Sequence, residues 1–382
     1  MTVRPSTPRP QHPDSPSEAA EGAGAAESLF DATRFLDGAH DVTKPRSRAL
    51  SGYYVLKPLI PRGVQLALRR RYARRRPTDG FPAWPIEDSL VRLQEEYFRA
   101  EMERRGVDRI PFINFWPDAQ RFAFVLTHDV EGPAGLANIE RVLEVERRHG
   151  FVSAWFFVGE DYEIPPGTFE MIRSAGGEVG LHGLTHDGSL FRDRASFDSQ
   201  LPGIHRYLRE WGAVGFRSPA THRNASWMHE FGCLYDSSFP DTDPFEPQPG
   251  GCCSILPFFL RDLVELPITL LQDHTLFEIL EQRTADIWIS KANWLVENRG
   301  LVNVLVHPDY VDAYRLDVYD QLLALLESQA GGWHALPREV ASWWRLRATL
   351  ERDFAGRSPS GLPDSVTVAH ALLAGDRIEI EA

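Results

Sequence analysis

The stretch Phe122-Ala-Phe-Val-Leu-Thr-His-Asp-Val-Glu-Gly132 decides the fold of this 382-residue chain. It begins with a run that is apolar up to Thr127, as expected of a strand buried on both faces. Polar residues follow at once, from His128 onwards, and end in a glycine. A buried strand that stops in polar residues is typical of α/β proteins, in which polar side chains gather at the carboxyl ends of parallel strands.

Strand patterns alternate with helical patterns after this point. The predicted strands are 122–127, 152–158, 178–182, 214–217, 264–269 and 301–307. The predicted helices are 134–148, 168–175, 197–211, 285–298 and 314–327. This alternation predicts a mainly parallel sheet with crossover helices, either an open sheet or a barrel.

The rest of the chain divides by composition into three further segments. Residues 1–45 are rich in Pro, Ala and Gly and predict a flexible tail, and residues 46–118 predict a helical, basic extension. We place the α/β domain at 119–345 and a C-terminal extension at 346–382. The run Arg69-Arg-Arg-Tyr-Ala-Arg-Arg-Arg76 indicates a solvated helix face beside an acidic domain, or alternatively a peripheral contact with anionic lipid.

The charge and hydropathy of the chain exclude several classes of protein. The formal net charge of −13 argues against nucleic acid as a partner, because phosphate binding requires a basic surface. The N-terminal segment lacks the apolar core of a secretion signal, and no apolar run approaches the roughly 20 residues that cross a bilayer. We therefore predict a cytoplasmic protein without a transmembrane segment, whose oligomeric state the sequence leaves open.

Two carboxylates follow the first strand at i and i+2. If the chain stays extended, the side chains of Asp129 and Glu131 point the same way and can share one centre. The alternative is a turn or helix-capping acid just before Gly132-Pro133.

Two histidines follow the third strand, in Gly180-Leu-His-Gly-Leu-Thr-His186. Histidines four apart lie on one face of a helical turn, so His182 and His186 could chelate one cation. Such pairs also occur by chance. Their position directly after a strand favours the metal interpretation.

Two further strands end in a cationic or titratable residue. In Gly215-Phe-Arg-Ser-Pro219 a guanidinium is fixed in a rigid turn, either for function or in a structural salt bridge. His307, before Pro308, closes the strand 301–307 and taken alone would be a capped core residue. Because all these groups fall at successive strand ends of one sheet, we interpret them as one site.

Together these motifs resemble those of the polysaccharide deacetylase family, also called the NodB-homology or carbohydrate esterase 4 family. The resemblance spans about residues 119–310 and does not cover 1–118 or 346–382. It implies an α/β fold, namely a distorted (β/α)7 barrel, here with an N-terminal helical extension. It also implies a metal-dependent hydrolase that removes an N-acetyl or other N-acyl group from an amino sugar or glycan precursor.

The resemblance implies a role for each matching residue. His182, His186 and Glu131 would bind a divalent metal ion, with zinc first and cobalt, nickel or manganese as alternatives. Asp129 would be the general base, which Arg217 holds ionised and oriented. His307 would be the general acid that protonates the departing amine.

One position departs from the family pattern. Many members have two adjacent aspartates or an Asp-x-Asp, whereas here Val130 intervenes and Glu131 replaces the second aspartate. Glutamate is one methylene longer, so the geometry of the third ligand shifts. Two alternatives remain open: hydrolysis of a small amide or cyclic ureide on the same barrel, and a catalytically silent carbohydrate-binding or scaffold homologue.

Two other segments carry predictions. The proline-containing stretch 239–259 is expected to form a wall of the substrate cleft, with Asp241 or Asp243 near His307. Trp343 and Trp344 could stack on sugars, but their spacing favours packing in the core.

Overall fold

The computed structural model describes residues 61–76, 78, 80–354, 362–375 and 377–382, so the predicted tail 1–45 lies outside the described residues. The helices are α1 (Arg62–Ala73), α2 (Ser89–Arg105), α3 (Pro133–Arg148), α4 (Thr168–Ser174), α5 (Arg194–Trp211), α6 (Ala225–Met228), α7 (Asp286–Glu297), α8 (Ala313–Ser328) and α9 (Pro337–Phe354). The strands are β1 (Arg109–Ile113), β2 (Phe122–Val130), β3 (Ala154–Phe157), β4 (Glu178–Leu181), β5 (Gly215–Phe216), β6 (Tyr235–Asp236), β7 (Phe258–Leu260), β8 (Leu263–Glu265), β9 (Leu301–Val306), β10 (Gly332–His334), β11 (Val368–Ala374) and β12 (Arg377–Glu381).

The main sheet has nine strands and is almost entirely parallel. Its order is β10-β2-β3-β4-β5-β6-β8-β7, and β9 pairs with β2 outside this path. Only the β7–β8 hairpin is antiparallel. Every position of β2 is buried, which explains why its first five residues are a continuous apolar run rather than an alternating one. The sheet curls into the distorted barrel that we predicted, and all six predicted strands are present in it.

A second, three-stranded sheet joins the segment just before β2 to the C-terminal end of the described chain. β11 lies between β1 and β12 and is antiparallel to both. The segment 46–118, which we predicted as helical, therefore also contains a strand. Ile110 and Phe112 are buried there while Arg109 and Pro111 are exposed, which is the period-two pattern of a half-buried strand.

The arginine run of α1 contacts the main domain. Arg70 and Arg74 both pair with Glu281, at 3.1 and 2.8 Å. Arg69 and Arg76 donate to the backbone carbonyls of the loop before β7. A lipid contact of this run stays a prediction. Among the described residues, no helix is both long and apolar enough to cross a bilayer.

The tryptophans of α9 belong to the core, as predicted. Trp343 and Trp344 are 6% and 3% exposed. The indole of Trp343 donates to the carbonyl of Phe115, and the ring of Trp344 lies 5.9 Å from that of Trp116. These rings attach α9 to the segment that precedes β2.

A buried carboxyl at the start of β4 predicts a pH-dependent stability. Glu178 accepts hydrogen bonds from the Tyr235 hydroxyl and the Arg338 amide, and burial raises its pKa from 4.5 to about 7. The folded state therefore keeps this proton up to about pH 7, whereas the unfolded chain loses it near 4.5. Its contribution to stability is complete below pH 4.5 and is lost as the pH rises through 7.

We expect Glu178→Gln to remove this part of the pH dependence of the free energy of unfolding, which is on the order of 3 kcal/mol between pH 4.5 and 7. Urea denaturation at the two pH values measures it. Glu163→Gln, which changes an exposed carboxyl, is the matched control. If the free energy of unfolding of Glu178→Gln changed between the two pH values as much as that of the wild type, the buried Glu178 carboxyl would not be the source of the pH dependence.

Candidate active site

The extended end of β2 presents both predicted carboxylates. The strand runs through Val130, so Asp129 and Glu131 lie on the same side of the backbone, as predicted. Asp129 is 2% exposed, whereas the side chain of Glu131 is 19% exposed. The carboxylate pair therefore has one buried member and one that is partly exposed.

His182 and His186 converge, but not through the predicted helical turn. The loop after β4 is irregular, and Gly183 has a φ of 71°. A Cβ on this glycine would lie 2.8 Å from the Pro219 ring, so the loop also packs closely on the turn after β5. The ring centroids of the two histidines are 5.4 Å apart. The left-handed glycine, rather than helical periodicity, brings the rings together.

Three side chains form a group with the donor set of a metal site. One ligand atom each from Glu131, His182 and His186 can be chosen so that all lie within 4.8 Å of one another. Two imidazoles and a carboxylate, with room for further ligands, are the donors of many catalytic zinc sites. The structure therefore brings together the three residues predicted as metal ligands.

The hydrogen bonds of His182 test whether these residues fit a cation. Its Nδ1 lies 3.0 Å from the carbonyl of Arg217, and because a carbonyl only accepts, Nδ1 carries the proton. Nε2 then carries a lone pair, and this buried atom has no hydrogen-bond partner among the described residues. Burial lowers the pKa of His182 to about 4, so the ring is neutral at pH 7. A buried neutral imidazole with an unshared lone pair fits a metal ligand.

Glu131 and His186 form the more exposed side of the group. Oε1 of Glu131 lies 3.0 Å from Nε2 of His186. Burial opposes the charge on each, but their mutual attraction outweighs it, so the pKa of His186 is raised and that of Glu131 is well below its usual range. The backbone amide of His186 also donates to Asp161, at 2.6 Å.

Arg217 is wholly buried and holds the end of β2 in place. Its Nη1 donates to Oγ1 of Thr127 at 2.9 Å and to Oδ1 of Asp129 at 3.2 Å. Its Nε and Nη2 donate to the backbone and hydroxyl oxygens of Ser237. Oδ2 of Asp129 is left facing the histidines, 3.7 Å from Nε2 of His182. Arg217 therefore lies against Asp129, as we predicted.

His307 faces the same carboxylates from the end of β9. Its Nε2 lies 3.9 Å from Oδ2 of Asp129 and 3.7 Å from Oε1 of Glu131. Its Nδ1 lies 2.6 Å from Oδ1 of Asp273, whose other oxygen accepts from the His307 backbone amide. Burial opposes protonation of the ring, but the Asp273 carboxylate raises the pKa of His307 to about 10.

The acid beside His307 differs from our prediction. We expected Asp241 or Asp243, yet Asp241 pairs with the buried Lys291 at 2.7 Å, and Asp243 accepts from the Phe245 amide. Asp273 takes this place because it begins the π-helical turn His274–Ile279, where its side chain also accepts from the His274 amide. The sequence signal for it is weak, since an acid at a helix start is usually only a cap.

The fold and the site together define a class. The α/β barrel gathers two histidines, two carboxylates, an arginine and a third histidine at the carboxyl ends of its strands, and its fold is that expected from the resemblance to polysaccharide deacetylases. In this chain the carboxylate beside the two histidines is a glutamate, Glu131, and the third histidine, His307, is paired with Asp273.

A solved structure with a TM-score above 0.5 agrees with this assignment of the fold. A protein from Mycobacterium smegmatis described as a polysaccharide deacetylase superposes with a TM-score of 0.51 at 20% identity, over 66% of this chain and 98% of that chain. A protein from Pseudomonas aeruginosa PAO1 with the same description gives 0.49 at 18% identity, over 61% and 93%. PuuE allantoinase gives 0.49 at 16% identity, over the same shares. No protein-family model and no curated protein matches the sequence.

Proposed function

We propose that the protein is a metal-dependent hydrolase that removes an N-acetyl group from an amino sugar or glycan precursor. The observation that carries the proposal is the convergence of Glu131, His182 and His186 within 4.8 Å, beside a buried Asp129. The fold of the chain, which is that of the polysaccharide deacetylase domain, supports it.

The candidate metal ligands and the other polar groups would have different roles in amide hydrolysis. Glu131, His182 and His186 would hold the metal ion. A divalent ion bound there would lower the pKa of a water molecule and polarise the acyl carbonyl. Zinc suits this nitrogen and oxygen donor set, and cobalt, nickel or manganese are alternatives.

Asp129 is placed to take the proton from the attacking water. Its Oδ1 is occupied by Arg217, while Oδ2 faces the histidines and is free to accept. The Arg217 guanidinium fixes the carboxylate through one oxygen only, so proton transfer to the other needs no rearrangement. Arg217 itself acts as a positioning residue.

His307 is placed to protonate the departing amine. Asp273 binds Nδ1 and so directs Nε2 toward the two carboxylates. Because the pKa of His307 is raised to about 10, the ring carries a proton at neutral pH and can give it up as the C–N bond breaks. The metal site would thus activate the water and the acyl carbonyl, and His307 would protonate the leaving amine.

Removal of the metal tests the proposal. We expect chelation followed by dialysis to abolish acetate release from N-acetylated amino sugars, and one equivalent of zinc to restore it. His182→Ala should lose most of its affinity for zinc, because it deletes one of three protein ligands. His370→Ala, on β11, is the matched control and should bind zinc as the wild type does.

The same assay separates the alternatives. Wild-type protein that binds zinc, releases no acetate and opens a cyclic ureide would favour the small-amide hydrolase. If the wild-type protein binds no metal, and His182→Ala binds a sugar as well as the wild type does, the catalytically silent homologue would be favoured. A carbohydrate substrate and a cytoplasmic location stay predictions until these measurements and a localisation experiment are made.

A further inference from the structure

Glu131 is the residue at which this site departs from the family pattern, and its two oxygens have different surroundings. Oε1 faces Nε2 of His186 at 3.0 Å and Nε2 of His307 at 3.7 Å. Oε2 accepts a hydrogen bond from the hydroxyl of Tyr310 at 2.9 Å. One oxygen is therefore directed at the candidate metal centre and the other is already bound.

We propose that Tyr310 is a positioning residue for the metal centre, which holds Oε2 of Glu131 so that only Oε1 is presented to a divalent cation. This inference rests on the proposed function. Glutamate has one more rotatable bond than aspartate, so its carboxylate loses more freedom when it is fixed on a metal. A hydrogen bond to the second oxygen restricts that freedom before the metal arrives.

Tyr310 is itself held firmly. It belongs to the turn Pro308–Tyr310 that follows β9, and its amide donates to the carbonyl of His307 at 3.1 Å. Its ring packs between His307 and His274, with centroid distances of 5.6 and 5.2 Å. The phenol therefore cannot swing away without disturbing the His307 side of the site.

The neighbouring residue fixes the backbone of Glu131. The carboxylate of Asp309 accepts from the Glu131 amide at 2.8 Å and from the Gly135 amide at 3.1 Å. A Cβ on Gly135 would lie 2.2 Å from Asp309, so only glycine allows this approach. Two successive residues of one turn thus hold the main chain and the side chain of the same glutamate.

The chemical consequence is a glutamate that binds through one oxygen. A carboxylate that chelates through both oxygens would occupy two coordination positions, whereas catalytic zinc sites keep positions open for water and substrate. Tyr310 would keep Oε2 off the metal and so preserve an open position. Groups that orient metal ligands in this way typically contribute about 10- to 100-fold to metal affinity or activity.

The test is the zinc affinity of Tyr310→Phe, measured by competition with a chromophoric chelator. We expect an affinity about 10-fold or more below wild type, with the melting temperature of the metal-free protein unchanged. Tyr314→Phe is the matched control, because its hydroxyl donates to the carbonyl of Gln282 at 2.8 Å, and it should bind zinc like the wild type.

A double-mutant cycle separates positioning from a general structural effect. In a Glu131→Ala background, measured with a weaker chelator, Tyr310→Phe should have no further effect on zinc affinity. An equal loss in both backgrounds, or an unchanged affinity in Tyr310→Phe alone, would overturn the positioning role while leaving the metal centre intact. Failure of wild-type protein to bind zinc would instead overturn the proposed function, and this inference with it.

Discussion

Asp129→Asn should lower the rate of deacetylation by about 10²- to 10⁴-fold while zinc binding is retained. Asparagine keeps the shape of the side chain, and its amide oxygen can still accept from Arg217, which bonds only Oδ1. What is lost is an oxygen that can take a proton from water. Acetate release under saturating N-acetylated sugar, alongside a zinc titration, measures both properties.

A matched control comes from the exposed carboxylate beside His186. Asp187 accepts from the Ser189 amide in a turn, and Asp187→Asn should leave the rate unchanged. Equal rates in wild type and Asp129→Asn would remove Asp129 from the mechanism. Loss of zinc in Asp129→Asn would show that it acts as a ligand instead.

The effect of His307→Ala should depend on the leaving group. For an N-acetyl amino sugar we expect a loss of about 10²- to 10⁴-fold, because an amine cannot depart without a proton. For an acetate ester of an acidic phenol the loss should be much smaller, since a phenolate leaves unprotonated. The two substrates, assayed on the same preparation, control for any damage to the fold or to the metal centre.

Equal losses on the amide and the ester would contradict the role of His307 as general acid. They would point to a part in binding the carbonyl or in holding Glu131, whose Oε1 lies 3.7 Å from the ring. Asp273→Asn provides a second, milder variant that keeps the imidazole. It should reproduce the same preference for the ester.

The positions that sequence reasoning found share one property. Asp129, His182, Arg217 and His307 each lie at or just past the carboxyl end of a strand, and parallel strands bring these ends to one edge of the sheet. The alternation of strands and helices was enough to predict that edge. For these four residues, the position at a strand end that is visible in the sequence is therefore enough to predict their place in the fold.

The features that sequence reasoning missed depend on tertiary contacts. Asp273 reaches His307 from a π-helical turn that no periodic pattern indicates. Tyr310 follows β9 and contacts Glu131 at the end of β2, and these two strands pair although they are far apart in sequence. The predicted helical turn at His182–His186 was wrong because the left-handed conformation of Gly183 redirects the chain.

The three-stranded sheet has a consequence for the order in which the protein is made. β1 leaves the ribosome before any strand of the barrel, yet β11, its neighbour in that sheet, is among the last segments to be synthesised. β3 can pair with β2 as it emerges, and β2 must wait for β9 and β10, but the backbone of Arg109–Ile113 must wait longer still, for Val368–Ala374. Closing this sheet therefore spans more of the sequence than any strand pairing of the main sheet, and it ties the segment just before the barrel to the end of the described chain.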